Sequence, residues 1–357
     1  MKTLITGVCG FVGSRLAEWI RQERSDWTVI GIDNLSRAGA ETNRTRIQSL
    51  GVEFVHGDIR DRNDLELIPD VEAVIDASAM PSVLAGTDGG GASLQLMQHN
   101  LIGTLNLLEF CRSRSAKFNM ISTSRVYAIK PLAGLPLTKQ DEAYLPNFDE
   151  IKTAGLSELG VSEEFSTEAP VSLYGASKLA SEVLAKEYAE TFDFPVWINR
   201  CGVMAGAGQF GHPGQGIFAF WIHSHQQRQP LKYIGFDGTG AQVRDMLHPF
   251  DLARLVVKQF ESDGDRDRPM LVNVSGGVES ALSLAQLTQW CDQRFGEHFV
   301  GTDPNPRPFD LPWVVLDNSL AKKTWDWSPE WTREDILTEI ADFAETRNDW
   351  LTISRGR

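Results

Sequence analysis

Short apolar runs alternate with amphipathic segments through the first half of the chain. The runs KTLIT, TVIGID, EFVHGD, AVIDAS and FNMIST predict strands, and PVWINR predicts another after a longer gap. The spacing of apolar residues between these runs predicts helices over 14–24, 94–114 and 174–191. Strands that alternate with helices form a parallel sheet covered on both faces. The sequence therefore predicts an α/β fold with a doubly wound, Rossmann-type sheet.

Beyond Cys201 the alternation gives way to loops rich in Gly and Pro. Further helices are predicted over 217–226 and in the segments LSLAQLTQWCDQRF and REDILTEIADFAE. We therefore predict two domains. The Rossmann domain comprises 1–200 plus 243–277, and a smaller C-terminal α/β domain comprises 201–242 plus 278–357.

Composition and charge exclude several classes of protein. Hydrophobic residues at 42% and charged residues at 23% supply a buried core and exclude wholesale disorder. The net charge of −14 repels phosphate backbones and anionic lipids, so we expect neither nucleic acid nor membrane as a partner. The four cysteines form no CxxC pair or metal cluster, and the opening MKTLITGVCG lacks a signal-peptide pattern. We expect a reduced, cytoplasmic setting and no metal.

The first predicted strand runs into three glycines, Gly7, Gly10 and Gly13, directly before a helix. This spacing lets a pyrophosphate approach the helix N-terminus, although an ordinary tight turn would read the same way. Asp33 closes the second strand, where a carboxylate accepts hydrogen bonds from the adenosine ribose and repels a 2′-phosphate. NAD is thus favoured over NADP. Two points count against this prediction: Asp33 could instead cap a loop, and the cation Arg37 lies nearby in the sequence.

Tyr174 and Lys178 in YGASK are four residues apart, which places both on one face of the predicted helix. A nearby ammonium and a cationic nicotinamide ring would lower the pKa of the tyrosine, so that its phenolate serves as a base near neutral pH. A surface Tyr stacked along a Lys stem is the structural alternative. Upstream, Ser122, Thr123 and Ser124 end the fifth strand, and each offers a hydroxyl for holding a substrate.

The segments TGVCGFVG, ISTSRVY, YGASK and QVRDMLHPFDLA together resemble the extended short-chain dehydrogenase/reductase superfamily, over almost the whole chain. Within it, DNLSRAGAETN, EFVHGDIRDRNDL, HNLIGTLNLLE and GQFG…QGIFAFWI are similar to nucleotide-sugar epimerases, most of all to the CDP-tyvelose (CDP-paratose) 2-epimerase group. The resemblance implies an NAD-binding first domain, a second domain that binds a nucleotide-diphosphate sugar, and a homodimer.

The resemblance also implies roles for individual residues. The catalytic residues are Thr123, Tyr174 and Lys178. The cofactor-binding residues are Gly7, Gly10, Phe11, Val12, Gly13, Asp33, Asn34, Asp58, Ile59, Ala77, Asn100, Tyr174 and Lys178. The substrate-binding residues are Ser124, Cys201, Gln215 and Arg244. Two departures from the family pattern, at Met80 and Ala205, border the expected sugar pocket.

The implied reaction is epimerisation by transient oxidation to a keto-sugar and re-reduction on the opposite face, because a carbinol C–H is too weakly acidic for direct proton exchange. Ser124 and Arg125 stand where dehydratase relatives carry an acidic pair, which disfavours dehydration. A nucleotide-sugar 4-epimerase and a net NAD(P)-dependent reductase or dehydrogenase remain alternatives. A non-catalytic dinucleotide-binding regulator would have a broken Tyr/Lys pair, and this sequence keeps it intact.

Overall fold

One seven-stranded parallel sheet organises the first part of the chain in the computed structural model, which describes residues 1–84, 86–87, 92–262 and 268–355. Its strands are β1 (Lys2–Thr6), β2 (Thr28–Asp33), β3 (Glu53–His56), β4 (Ala73–Asp76), β5 (Lys117–Thr123), β6 (Val196–Cys201) and β7 (Leu271–Val274). Their order across the sheet is β7-β6-β5-β4-β1-β2-β3. The chain thus adds β2 and β3 on one side of β1 and then continues with β4 on the other side, so that the strand order reverses between β1 and β4. The predicted Rossmann-type α/β fold is confirmed, and the reversal places a crevice at the carboxyl ends of these two strands.

Successive side chains of the central strands enter two different apolar cores. In β1, Leu4 belongs to the core that residues of Gly103–Arg114 and Ser172–Phe192 also enter, whereas Ile5 belongs to the core formed with Phe11–Glu23 on the opposite face. Both side chains are fully buried. Burial on both faces explains why these strands read as continuous apolar runs instead of alternating ones.

The helical segments agree in place with the prediction but differ in one structural detail. The α-helices are Phe11–Glu23, Ala40–Ser49, Arg62–Glu66, Ala92–Met97, Gly103–Arg114, Ile129–Ala133, Ser172–Phe192, Ile217–Gln226, Pro249–Glu261, Leu284–Phe295, Ser319–Trp325, Arg333–Thr346 and Trp350–Arg355. Short 3-10 turns cover Ser124–Val126, Phe236–Gly238 and Val278–Ser280. The single helix predicted over 94–114 is interrupted by a π-helical turn, Gln98–Ile102.

A third apolar core lies in the second half of the chain. Helices Ile217–Gln226, Leu284–Phe295 and Arg333–Thr346 supply most of its buried residues. The strand Val243–Arg244 pairs with Leu282–Ser283 and with Trp313–Val314, and so joins this half of the chain. The predicted division into two domains stays a prediction, and this pairing would move the start of its second Rossmann segment beyond Arg244.

The remaining strands form two-stranded ribbons. Their pairs are Leu137–Gln140 with Ala143–Pro146, Leu156–Ser157 with Gly160–Val161, Val203–Met204 with Met246–Leu247, and Leu231–Ile234 with Val300–Asp303. Within the described ranges, every helix is too short or too polar to cross a membrane.

A buried ion pair fastens the long helix to the sheet. Glu182 accepts a hydrogen bond from Arg200 at the end of β6, with 2.7 Å between Oε2 and Nη2. Ser122 on β5 donates a hydrogen bond to the same carboxylate, and the Arg200 guanidinium lies 5.0 Å from the centre of the Tyr127 ring. Because both charges are almost fully removed from water, each depends on the other.

Removing one partner should therefore destabilise the fold strongly. We expect Glu182→Leu to lower the free energy of unfolding by about 3–5 kcal/mol, because it leaves the Arg200 charge buried and unpaired. Lys139→Ala, which breaks the exposed Lys139–Glu142 pair, should cost at most about 1 kcal/mol. Urea denaturation followed by circular dichroism measures both, and equal losses would contradict the structural role of the buried pair.

Candidate active site

Two neighbouring cavities open at the carboxyl edge of the sheet, with volumes of about 410 Å³ and 390 Å³. The larger one is walled by the ends of β5 and β6 and by loops of the second half of the chain. The smaller one lies beside the ends of β2 and β4. Six residues line both cavities, namely Gly10, Arg37, Ala77, Ala79, Pro81 and Gln215. A long ligand can therefore extend from one cavity into the other.

The three predicted glycines form the turn between β1 and the first helix. Gly7 has φ +60°, a left-handed conformation, and its carbonyl accepts a 2.9 Å hydrogen bond from the Gly10 amide. At Gly13, a side chain would collide with the Gly7 carbonyl. No side chain caps the helix at Gly10, so its first amides are free to face an anion.

Acidic residues at the ends of β2 and β3 line the smaller cavity. The Asp33 carboxylate accepts hydrogen bonds from the amides of Cys9 (2.9 Å) and Leu35 (2.8 Å), while burial raises its pKa. Asp58 is partly desolvated, but an ion pair with Arg60 and a 2.9 Å hydrogen bond from Asn34 leave its pKa well below the ordinary value. Both carboxylates are therefore held in place for hydrogen bonds to a ligand.

The other predicted cofactor residues divide between the two cavities. Asn34 and Ile59 line the smaller one, Phe11, Val12 and Gly13 line the larger one, and Ala77 lines both. Asn100 is the exception, since it is fully buried and lies outside both linings. Its amide accepts from the Met80 amide at 2.8 Å and donates to Ser177 at 3.0 Å. It therefore holds the Met80 loop against the long helix, and its predicted role at the cofactor stays a prediction.

The predicted catalytic residues come together where β5 meets the long helix. Thr123, the last residue of β5, and Tyr174 both line the larger cavity, and the Thr123 hydroxyl lies close enough to the phenol to lower the pKa of the tyrosine. Lys178 lies one turn further along, with 1% of its surface exposed. Burial lowers the pKa of Lys178, and the carboxylates of Asp76 and Glu182 partly offset that effect.

The sequence could not distinguish the hydroxyls of Ser122, Thr123 and Ser124, but in the structure each has different surroundings. Ser122 also lines the larger cavity, but its hydroxyl donates a hydrogen bond to the Glu182 carboxylate. Thr123 faces Tyr174, and its oxygen also accepts from the Arg125 amide at 3.2 Å. Ser124 is buried in the turn and lines the larger cavity. Thr123 is thus the hydroxyl that contacts the tyrosine.

Positive side chains from the second half of the chain line the same cavity as Thr123 and Tyr174. The predicted substrate residues Cys201, Gln215 and Arg244 all line it, and Arg244 is paired with Asp310 at 2.7 Å. Arg307 also lines the cavity and was not predicted. Its setting in PNPRPFD, an arginine between prolines in a loop, was the available signal.

The comparisons with known proteins agree with this geometry. The model of the NAD dependent epimerase/dehydratase family matches residues 3–275. The chain belongs to this family. It is 30% identical over 356 residues to CDP-paratose 2-epimerase of Salmonella typhi, covering 97% of this chain and 100% of the relative. UDP-glucuronate 4-epimerase of Thermodesulfobacterium geofontis is 27% identical, covering 96% and 95%.

Among solved structures, the chain is similar to UDP-glucuronic acid 4-epimerase from Bacillus cereus in complex with UDP-glucuronic acid and NAD. The TM-score is 0.76 at 25% sequence identity, and the alignment covers 97% of this chain and 99% of that one.

NAD is the cofactor of this epimerase/dehydratase family, and the residues present fit it. The uncapped amides at Gly10 suit a pyrophosphate, and the Asp33 carboxylate beside the smaller cavity suits a ribose diol. When bound, NAD supplies a hydride acceptor and donor. Tyr174 and Thr123 stand in the larger cavity, which adjoins the smaller one.

The electrostatics of Tyr174 differ from the expectation. In the protein alone, burial raises its pKa to about 12, while the Thr123 hydrogen bond and the Arg125 guanidinium act in the opposite direction and the Cys201 thiol adds to the increase. Arg125 is therefore a nearby cation that favours the phenolate form of Tyr174.

Replacing Arg125 should change the pH dependence of catalysis. In Arg125→Gln the phenolate loses a nearby cation, so the pKa of the base rises and the acid limb of the kcat/KM profile moves to higher pH. The loss of activity should be largest at low pH and shrink as pH increases. Arg125→Lys keeps the charge and should retain the wild-type limb. A loss by the same factor at every pH would contradict this role.

Proposed function

We propose that this protein is an NAD-dependent nucleotide-sugar epimerase that works by transient oxidation of the sugar. The observation that carries the proposal is the Thr123–Tyr174 contact inside a cavity that Arg244 and Arg307 also line. Arginines recognise phosphate oxygens well, whereas the Tyr/Thr pair suits a sugar hydroxyl. One cavity therefore offers matching groups for both ends of a nucleotide-diphosphate sugar.

Each residue has a distinct task in this mechanism. Thr123 holds the reacting hydroxyl by a hydrogen bond, and Tyr174 removes its proton as the carbon loses hydride. Lys178, buried beside Asp76 and Glu182, keeps a positive charge near the reacting groups. The resulting keto-sugar turns in the cavity, receives hydride on its other face, and takes the proton back from Tyr174. The cofactor ends unchanged.

Epimerisation is favoured over dehydration because no acid follows Thr123. Ser124 and Arg125 occupy those positions, and neither protonates a leaving hydroxyl at neutral pH. The similarity to CDP-paratose 2-epimerase favours inversion at C2 of a CDP-sugar. Inversion at C4 is the second candidate, supported by the likeness to UDP-glucuronate 4-epimerases.

A panel of CDP-, UDP-, GDP- and ADP-sugars tests the proposal. With one or more of these substrates, the enzyme should give an epimer with no net NADH, as measured by nuclear magnetic resonance and absorbance at 340 nm. Tyr174→Phe should lower kcat by at least about 100-fold while NAD still binds, because only the proton acceptor is lost. Stoichiometric NADH would assign the protein to the dehydrogenases, and full activity of Tyr174→Phe would refute the mechanism.

We also propose a cytoplasmic homodimer. The four cysteines are buried and unpaired, which suits a reducing compartment. For the dimer, the π-helical turn and the long helix pack side by side and expose apolar residues, with Ile102 at 42% and Val183 at 54% exposure. Such a face suits association with a second copy.

A charge placed on this face should separate the protomers. We expect Val183→Lys to convert the dimer to a monomer in analytical ultracentrifugation, because burying an unpaired ammonium is costly. Leu67→Lys also places a lysine at an exposed apolar position, at the end of a different helix, and the variant should sediment with the mass of a dimer. A monomeric wild-type protein, or a dimeric Val183→Lys variant, would contradict the proposed interface.

A further inference from the structure

The two cavities meet at a junction formed by the six residues that line both. Arg37 is the single charged side chain among these six. Arg37 follows β2, whereas Gln215 belongs to a loop of the second half of the chain. The Arg37 Nη1 donates a 2.9 Å hydrogen bond to Gln215 Oε1. This contact joins the two sides of the groove at the point where a ligand spanning both cavities must pass.

Arg37 lacks the partner that a desolvated cation normally has. Within the described ranges no carboxylate lies within ion-pair distance of it, and burial alone lowers its pKa. Its guanidinium lies 5.0 Å from the centre of the Phe210 ring, an attraction too weak to replace an ion pair. Arg37 is partly buried, and an unpaired guanidinium that has lost part of its hydration gains more from a bound anion than a fully exposed one.

The surroundings hold this arginine in place. Phe210 stacks on Trp350 with ring centres 5.3 Å apart, and the Trp350 indole donates to the Gln209 carbonyl at 2.8 Å. On the other side, a side chain at Gly39 would lie 2.6 Å from the Phe210 ring. The loops that carry Arg37 and Gln215 are therefore packed together through Phe210.

We propose that Arg37 binds a diphosphate at the junction of the two cavities, that of the dinucleotide, and that its hydrogen bond to Gln215 forms a clasp which must open before the dinucleotide dissociates. Gly10, at the N-terminus of the first helix, also lines both cavities, so the amides that follow it are available to the same diphosphate. A clasp of this kind suits an internal redox cycle, in which reduced cofactor must not escape before the keto-sugar is reduced. That last point rests on the proposed function, whereas the diphosphate contact does not.

Binding measurements without any sugar test the diphosphate contact. Arg37→Gln should weaken NAD and ADP-ribose by about 10- to 100-fold, since a charge-assisted contact to the diphosphate is lost, and should change AMP binding much less. Arg307→Gln is the matched control, because Arg307 lines only the larger cavity, and NAD binding should stay within about twofold of wild type. Arg37→Lys, which keeps the charge, should fall between wild type and Arg37→Gln and shows that folding is intact.

The same variants distinguish the source of the diphosphate. If Arg37→Gln weakens CDP or UDP and leaves ADP-ribose unchanged, the contact belongs to the sugar nucleotide and the proposal is wrong. A loss confined to NADP would likewise overturn it, because Arg37 would then bind a 2′-phosphate.

Stopped-flow measurement of NAD release tests the clasp. Gln215→Ala should accelerate release by about tenfold in the wild-type background, but it should add little to the faster release of Arg37→Gln, because that variant has already lost the contact. Independent, multiplicative effects would contradict the clasp. These outcomes need no turnover, so they stand apart from any failure of the epimerase assignment.

Discussion

The long helix Ser172–Phe192 reaches the end of β5 only because position 175 has no side chain. A Cβ on Gly175 would collide with the carbonyl of Arg125. This close approach puts the phenol of Tyr174 within hydrogen-bond reach of Thr123. One turn later Lys178 is buried, and a further turn later Glu182 locks onto Arg200. The Gly in YGASK is therefore as necessary to the site as the Tyr and Lys that flank it, although it carries no chemistry.

Charge is organised on two scales in this molecule. The chain as a whole carries −14, yet its larger cavity is lined by Arg37, Arg125, Arg244 and Arg307 with Asp310 as the one lining carboxylate in the described residues. Small phosphate esters respond to these local groups and to helix amides, whereas polyanions respond to the whole surface. An acidic protein can therefore select a nucleotide sugar and NAD while repelling nucleic acid.

Periodicity predicted six of the seven central strands and the main helices, because buried parallel strands and amphipathic helices leave strong apolar patterns. The strand Leu271–Val274 was missed, since four residues next to a glycine-rich turn carry little pattern. The pair Tyr174 and Lys178 was predicted from spacing. Arg307 was not, because a loop arginine acquires meaning only when tertiary structure brings it to the cavity. The pKa of Tyr174 also required the structure, since burial outweighs its neighbours.

The π-helical turn Gln98–Ile102 has a consequence for the geometry of the whole helical segment. One extra residue in a turn shifts the phase of the downstream residues by about 100° relative to an unbroken α-helix. Asn100 can therefore point toward Met80 and Ser177 while Leu107 and Leu108 still face the sheet core. Deleting a single residue here would restore a regular helix. Either Asn100, or Leu107 and Leu108, would then be turned away from the residues that they contact. The helix keeps two independent alignments, one for the core and one for the loop beside the cofactor groove.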